Sequence, residues 1–142
     1  MQVDLVRSSH SVGRNLWVLE WCTKYRYKMM RKFGNRNLVA ACIRQAACRH
    51  KIKIIVLKVL FEHVHMIASL PKGMDDIKAA KLLKGASARK LFSVKEKFRL
   101  RYPRGHFWSR GYYAHTLGVT DLQTQKDYME KQEFHHGALF LL

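Results

Sequence analysis

Two β-prone runs lie back to back between Ile52 and Leu70. Ile52 to Phe61 is apolar apart from Lys53 and Lys58, and Glu62 to Leu70 follows it without a strong turn signal. Strands joined this closely have to pair antiparallel through a tight corner, because a parallel pair needs a crossover of about a dozen residues or more. Pro71-Lys72-Gly73 then punctuates the end of the second run. The first run is also too short and too interrupted to cross a bilayer.

The rest of the chain supplies the other layers. Asn15 to Thr23 reads as a strand, with Leu16, Trp17, Val18, Leu19, Trp21 and Cys22 giving β-prone character. Gly34-Asn35 marks a turn, and Leu38 to His50 carries Val39, Cys42, Ile43 and Ala46 at helical spacing. Asp75-Asp76 open a further helix, with Lys81 and Lys84 towards its end as the macrodipole favours. Gly85 interrupts it, and Ser87 to Phe98 continues as a second helical piece. Tyr102 to Gly105 forms a loop, Phe107 to Leu117 a fourth strand and Gly118 a hinge. Thr120-Asp121-Leu122-Gln123 has the pattern of a capping box and starts a helix to about His135. This order predicts one α+β domain over residues 1–142. Its antiparallel sheet has helices packed on one face, a ferredoxin- or RRM-like palm, and its C-terminal helix carries Tyr128.

Charge narrows the partner. The chain of 142 residues has 27 Lys and Arg against 10 Asp and Glu, a formal net charge of +17. Between Glu20 and Glu62 there is no acid but eleven Lys or Arg, and from Lys78 to Arg110 another eleven face only Glu96. Such self-repulsion is costly unless a polyanion relieves it, and two long basic segments suit a nucleic-acid backbone. Tyr25, Tyr27 and Phe33 lie in the first segment, and Phe107, Trp108, Tyr112 and Tyr113 close the second. Exposed rings among cations stack on unpaired bases, although rings in small domains are more often buried. Cys22, Cys42 and Cys48 include no C-x-x-C pair, so neither a disulfide framework nor a zinc ribbon is indicated. The start, Met1 to Leu5, lacks the basic-then-apolar layout of a signal peptide, and the expected location is cytoplasmic, with no membrane partner.

His63-Val64-His65 sits on the third strand, where a period of two sends both imidazoles to one face. Imidazoles so spaced can converge on one metal ion. Tyr128 and Gln132 are i, i+4 on the last helix and share a face. Imidazoles with an amide oxygen suit Mg²⁺ or Mn²⁺ better than a thiolate-loving metal. A phenol beside them is a plausible nucleophile for phosphorus once the charge of a phosphodiester is offset. Glu62 should alternate to the face opposite His63, and Asp127 lies about a quarter-turn from Tyr128, so neither is expected to take part. No Walker loop, G-x-G-x-x-G or H-E-x-x-H is present, and no nucleotide cofactor is expected.

His63-Val64-His65 resembles the HUH motif of single-strand DNA nucleases and transposases. The surrounding pattern is most similar to the small single-tyrosine transposases of bacterial and archaeal insertion sequences. The similar pieces run in order over residues 13 to 133: Thr23-Lys-Tyr-Arg26, His63-Val-His65-Met-Ile-Ala-Ser-Leu-Pro71, Leu83-Lys-Gly85 with Ser87 and Arg89, Phe107-Trp-Ser-Arg-Gly-Tyr-Tyr113, and Tyr128-Met-Glu-Lys-Gln132. The resemblance implies that Tyr128 is the nucleophile and that His63, His65 and Gln132 hold the divalent ion. It implies a 5′-phosphotyrosine bond to single-stranded DNA, a free 3′-hydroxyl, and recognition of hairpins at element ends. It further implies a homodimer with shared active sites, the tyrosine helix swinging about Gly118. Lys24, Tyr25, Arg26, Lys84, Arg89, Lys90 and Arg110, within or beside these motifs, are the expected DNA contacts. Trp17-Val18 departs from the aromatic–His pair often found in the first strand of relatives, and Glu133 to Leu142 reads as a docked apolar tail. The alternatives are a non-catalytic nucleic-acid-binding module, which would leave His63, His65, Tyr128 and Gln132 together unexplained, an HUH nickase domesticated for another role, and an inactivated copy of an element.

Overall fold

The computed structural model of the chain describes the backbone of residues 15–141 and the side chains of residues 15–131. Four strands form one antiparallel sheet: β1 (Leu16–Cys22), β2 (Lys53–Val59), β3 (His63–Ser69) and β4 (Tyr113–Thr116), in the order β2-β3-β1-β4. Three helices accompany them, α1 (Phe33–Arg49), α2 (Asp76–Val94) and α3 (Leu122–Leu141). The expected α+β architecture is therefore present, with the two back-to-back runs pairing through the corner at Leu60, whose N–H donates to the His63 carbonyl.

Strand period decides what each face meets. Leu19 and Trp21 of β1, with Val64, Met66 and Ala68 of β3, join Val39 and Ile43 of α1 and Leu83 and Leu91 of α2 in the larger core. The alternate residues Leu16 and Val18, with Val56 and Ile67, pack on Leu122 and Met129 of α3. Helices α1 and α2 thus share one face as expected, and the tyrosine-bearing helix covers part of the other.

Several boundaries differ from the sequence reading, each for a local reason. Gly34-Asn35 lies in the first turn of α1 rather than before it. The first N–H groups of a helix lack intrahelical partners in any case, and the Asn35 side chain is held by donating to the Met29 carbonyl and accepting from Lys95 Nζ. Helix α2 runs unbroken through Gly85, because the buried stripe of Ala79, Ala80, Leu83, Ser87 and Leu91 outweighs the roughly 1 kcal/mol cost of an internal glycine. Asp75 caps this helix, accepting from the Lys78 N–H at 2.8 Å. The expected capping box is not formed: Thr120 and Asp121 belong to a 3-10 turn, and Gln123 reaches forward to Asp127. Helix α3 also continues beyond His135 to Leu141. The apolar tail expected from Glu133 to Leu142 has its side chains outside the described residues.

Strand β4 is the largest departure, four residues rather than the run from Phe107 to Leu117. Lys84 Nζ, from α2, donates to the carbonyls of Ser109, Arg110 and Gly111 at 2.6, 3.0 and 3.0 Å. Those acceptors are drawn towards one cation, and Trp108 keeps only an isolated bridge to Thr23.

Candidate active site

His63 and His65 point to the α3 side of the sheet, as the strand period predicts, and they do not stand alone. The pairing register sets Glu20 of β1 directly opposite His65, with Tyr113 on its other side. Glu20 Oε2 lies 3.8 Å from His63 Nε2, and its Oε1 lies 4.0 Å from His65 Nε2. Lys58 of β2 is the cross-strand neighbour of His65 on its far side. The sheet therefore carries a row of Lys58, His65, Glu20 and Tyr113 beside the second imidazole.

Glu62 overturns its sequence-based exclusion. It precedes β3 in a bend, so strand alternation does not apply to it, and its Oε1 lies 2.8 Å from His63 Nδ1. A carboxylate only accepts, so His63 Nδ1 is the donor in this contact, and Nε2 is turned away from Glu62. Histidines that bind metals are held in this way by a carboxylate on the other nitrogen.

A cavity of about 490 Å³ adjoins His63, with Glu20, Trp21, Arg26, Tyr112 and Tyr113 in its lining. Trp21 is buried and its Nε1–H has no protein partner among the described residues. Arg26 reaches the cavity through a strained corner: Tyr25 and Arg26 are both left-handed, at φ 63° and 54°. Two such residues cost on the order of 1–3 kcal/mol each and persist only where their surroundings over-determine them. Here Thr23 N donates to the Glu62 carbonyl, Thr23 Oγ1 donates to the Tyr27 carbonyl, Lys24 N donates to the Phe107 carbonyl, and the Tyr102 hydroxyl donates to the Lys24 carbonyl. Burial pushes that Tyr102 phenol up to about 12.

Tyr128 is exposed on α3, next in sequence to Met129, which is fully buried against the sheet. It does not line the cavity beside His63. Gln132 is on the same helix, but its side chain lies outside the described residues. The backbone at Gly118 is extended (φ −75°, ψ 151°), a conformation open to any residue, so no backbone angle there requires glycine.

The expected DNA contacts divide into groups. Tyr25 and Arg26 are exposed and Lys24 half-buried on the corner after β1, where Tyr25 packs on Tyr27 and Tyr27 stacks on Tyr102. Arg110 is exposed at the loop before β4. Arg89 and Lys90 are exposed on α2 and line a different cavity, against Cys42 and Arg49 of α1, in the helix layer across the sheet from the histidines. Lys84 is spent on three carbonyls, and burial lowers its ammonium pKa. The aromatics divide as well: Phe107 and Trp108 are core, while Tyr25, Phe33 and Tyr113 are exposed.

Sequence reasoning missed Glu20 and Glu62. Glu20 carried a usable signal, an acid at the even position of an otherwise apolar strand. Glu62 carried none, because its contact depends on a bend. Among the described residues, no group of three His, Cys, Asp or Glu side chains stands close enough together to hold a metal ion as it is. The donor chemistry nonetheless fits a divalent ion: the Nε2 atoms of His63 and His65 both face the Glu20 carboxylate, on the α3 side of the sheet.

An antiparallel sheet bearing two imidazoles on the face covered by a tyrosine helix, in a strongly basic chain, defines a class of nucleic-acid-processing domain. Residues 17–132 match the family described as "Transposase IS200 like", and the chain belongs to that family. It is 27% identical over 119 residues to the transposase for insertion sequence element IS200 of Salmonella typhimurium, covering 79% of this chain and 78% of that one. It is 30% identical over 116 residues to the ISDra2 transposase TnpA of Deinococcus radiodurans, covering 80% and 81%. Among solved structures, a transposase from Deinococcus radiodurans superposes with a TM-score of 0.66 at 25% identity, covering 82% of this chain and 89% of that one. A REP-associated tyrosine transposase bound to a REP hairpin shares the fold, with a TM-score of 0.60 at 18% identity over 87% and 69% of the two chains. The transposase function of the family is thereby supported for this chain. Among the described residues, no helix is long and apolar enough to cross a membrane.

Proposed function

We propose that this chain excises and inserts an insertion sequence by cutting single-stranded DNA through a covalent tyrosine intermediate. One observation carries the reading: His63 and His65 occupy the sheet face that α3 covers, and α3 is pinned there by Met129 with Tyr128 exposed beside it. Tyr128 Oη attacks the scissile phosphorus, losing its proton. The bond from phosphorus to the 3′ oxygen breaks, and that oxygen leaves as a protonated 3′-hydroxyl. The 5′-phosphotyrosine keeps the phosphodiester energy, so a second 3′-hydroxyl reverses the step and joins new strands without a nucleotide cofactor.

His63, His65 and Gln132 would hold Mg²⁺ or Mn²⁺, which supplies charge neutralisation at the phosphodiester. Glu62 keeps the His63 ring oriented for this. Arg26, fixed by its left-handed corner, presents a guanidinium to a phosphate entering the cavity. Tyr25 and Tyr113 offer exposed rings to unpaired bases. The substrate is single-stranded DNA with a hairpin at the element ends, by analogy with the hairpin-bound neighbour of like fold. One domain over residues 1–142, acting as a homodimer with shared active sites in the cytoplasm, completes the reading.

The test incubates the protein with Mg²⁺ or Mn²⁺ and labelled hairpin-ended oligonucleotides from its own element, followed by a denaturing gel. The expected result is a protein–DNA adduct that disappears with Tyr128→Phe and with chelator. Tight binding with no adduct on those substrates would identify a non-catalytic binding module instead.

A further inference from the structure

We infer that Glu20 is a protein ligand to the divalent ion at His63 and His65, so that the sheet alone contributes three of its donors. The inference rests on the metal-dependent reading above and goes beyond it by naming a donor outside the tyrosine helix. Three observations support it. Glu20 is the direct cross-strand partner of His65 in the centre of the sheet, held in register by the β1–β3 ladder. Its two carboxylate oxygens divide between the imidazoles, Oε2 at 3.8 Å from His63 Nε2 and Oε1 at 4.0 Å from His65 Nε2. Glu62 takes His63 Nδ1, so Nε2 is the ring nitrogen turned towards Glu20.

The distances describe an open arrangement. Neighbouring donors on an octahedral ion with bonds of ~2.1 Å stand about 3 Å apart. The Glu20 carboxylate would therefore move in by about 1 Å, within the reach of a side chain that is 37% exposed and has three rotatable bonds. The imidazoles are far less free, at 14% and 7% exposed. Two rigid nitrogens and one adjustable carboxylate give a neutral–neutral–anionic set whose hard oxygen suits Mg²⁺ and Mn²⁺. Such a site holds its ion on the sheet whether or not α3 is seated.

The experiment measures Mn²⁺ binding to the full chain without DNA, from the loss of the free Mn²⁺ electron paramagnetic resonance signal, and records Co²⁺ absorption at saturation. Wild type, Glu20→Gln, and His63→Ala with His65→Ala are compared, each first shown to melt cooperatively without metal. The expected result is Mn²⁺ binding by wild type, at least tenfold weakening in Glu20→Gln, and a changed Co²⁺ d–d spectrum in that variant. Unchanged Mn²⁺ affinity in Glu20→Gln overturns the assignment while leaving the metal-dependent reading intact. Weaker binding with an unchanged saturated Co²⁺ spectrum also overturns it, because the carboxylate would then act only as a nearby charge. Absence of binding in wild type overturns the metal-dependent reading itself, and the assignment with it.

Discussion

Glu62 Oε1 accepts the Nδ1 proton of His63 at 2.8 Å, which joins the residue at the corner before β3 to the first residue of the strand. The bond orients a ring already confined by the sheet, and leaves the opposite nitrogen facing Glu20. Carboxylates in this position typically govern metal affinity or activity by about 10–100-fold. Glu62→Ala is therefore expected to lower the rate of adduct formation by about tenfold or more, with Glu62→Gln losing less because its amide oxygen still accepts. The check is single-turnover cleavage at several Mn²⁺ concentrations. Wild-type rates in Glu62→Ala would show that the bond has no part in the reaction.

Lys84 is expected to act on the fold rather than on DNA. Lys84→Met strips a charged donor from the carbonyls of Ser109, Arg110 and Gly111, and should cost about 1–3 kcal/mol by urea denaturation. Its slope of log affinity against log salt should match wild type. Arg26→Ala, by contrast, should reduce that slope by about 1, the signature of one lost phosphate contact. A smaller slope in Lys84→Met would put its ammonium on the nucleic acid.

Tyr102 predicts how stability responds to alkali. Burial holds its phenol neutral and raises it from 10.0 to about 12. The folded protein thus keeps a proton that the unfolded chain releases, a stabilisation fully present below about pH 10 and lost as pH rises through about 12. Tyr102→Phe is expected to cost about 1 kcal/mol at pH 8, through the lost bond to the Lys24 carbonyl, and to flatten the decline across that window. Denaturation midpoints from pH 8 upward measure both effects. Parallel pH profiles for the two proteins would contradict the assignment.

Neighbouring residues on α3 should respond in opposite ways. Met129 is fully buried with Leu16, Val18 and Ile67, so Met129→Ala should cost about 2–5 kcal/mol. Tyr128 is exposed, so Tyr128→Phe should stay within about 0.5 kcal/mol of wild type while abolishing the adduct. Thermal denaturation beside the cleavage gel separates the two. Destabilisation by Tyr128→Phe would mean that the ring packs rather than reacts.

The residue pattern determined which strands exist and what lies on their faces. The adjacent runs before and after Glu62 could only form an antiparallel pair, and period two alone aimed His63 and His65 to one side. Charge distribution likewise named a polyanion, because repulsion on that scale depends on composition and not on coordinates. Local signals failed where distant groups competed for the backbone or outweighed propensity. Lys84 gathers three successive carbonyls onto one ammonium, which an extended strand cannot offer on one side, and the buried stripe of α2 carries the helix across Gly85. Tertiary structure alone set Glu20 against the histidines and Glu62 on His63. The first depends on strand register between segments more than forty residues apart, and the second on a bend that escapes alternation. Packing on the second sheet face placed the tyrosine helix on the histidine side, since Met129 had no local reason to choose a face.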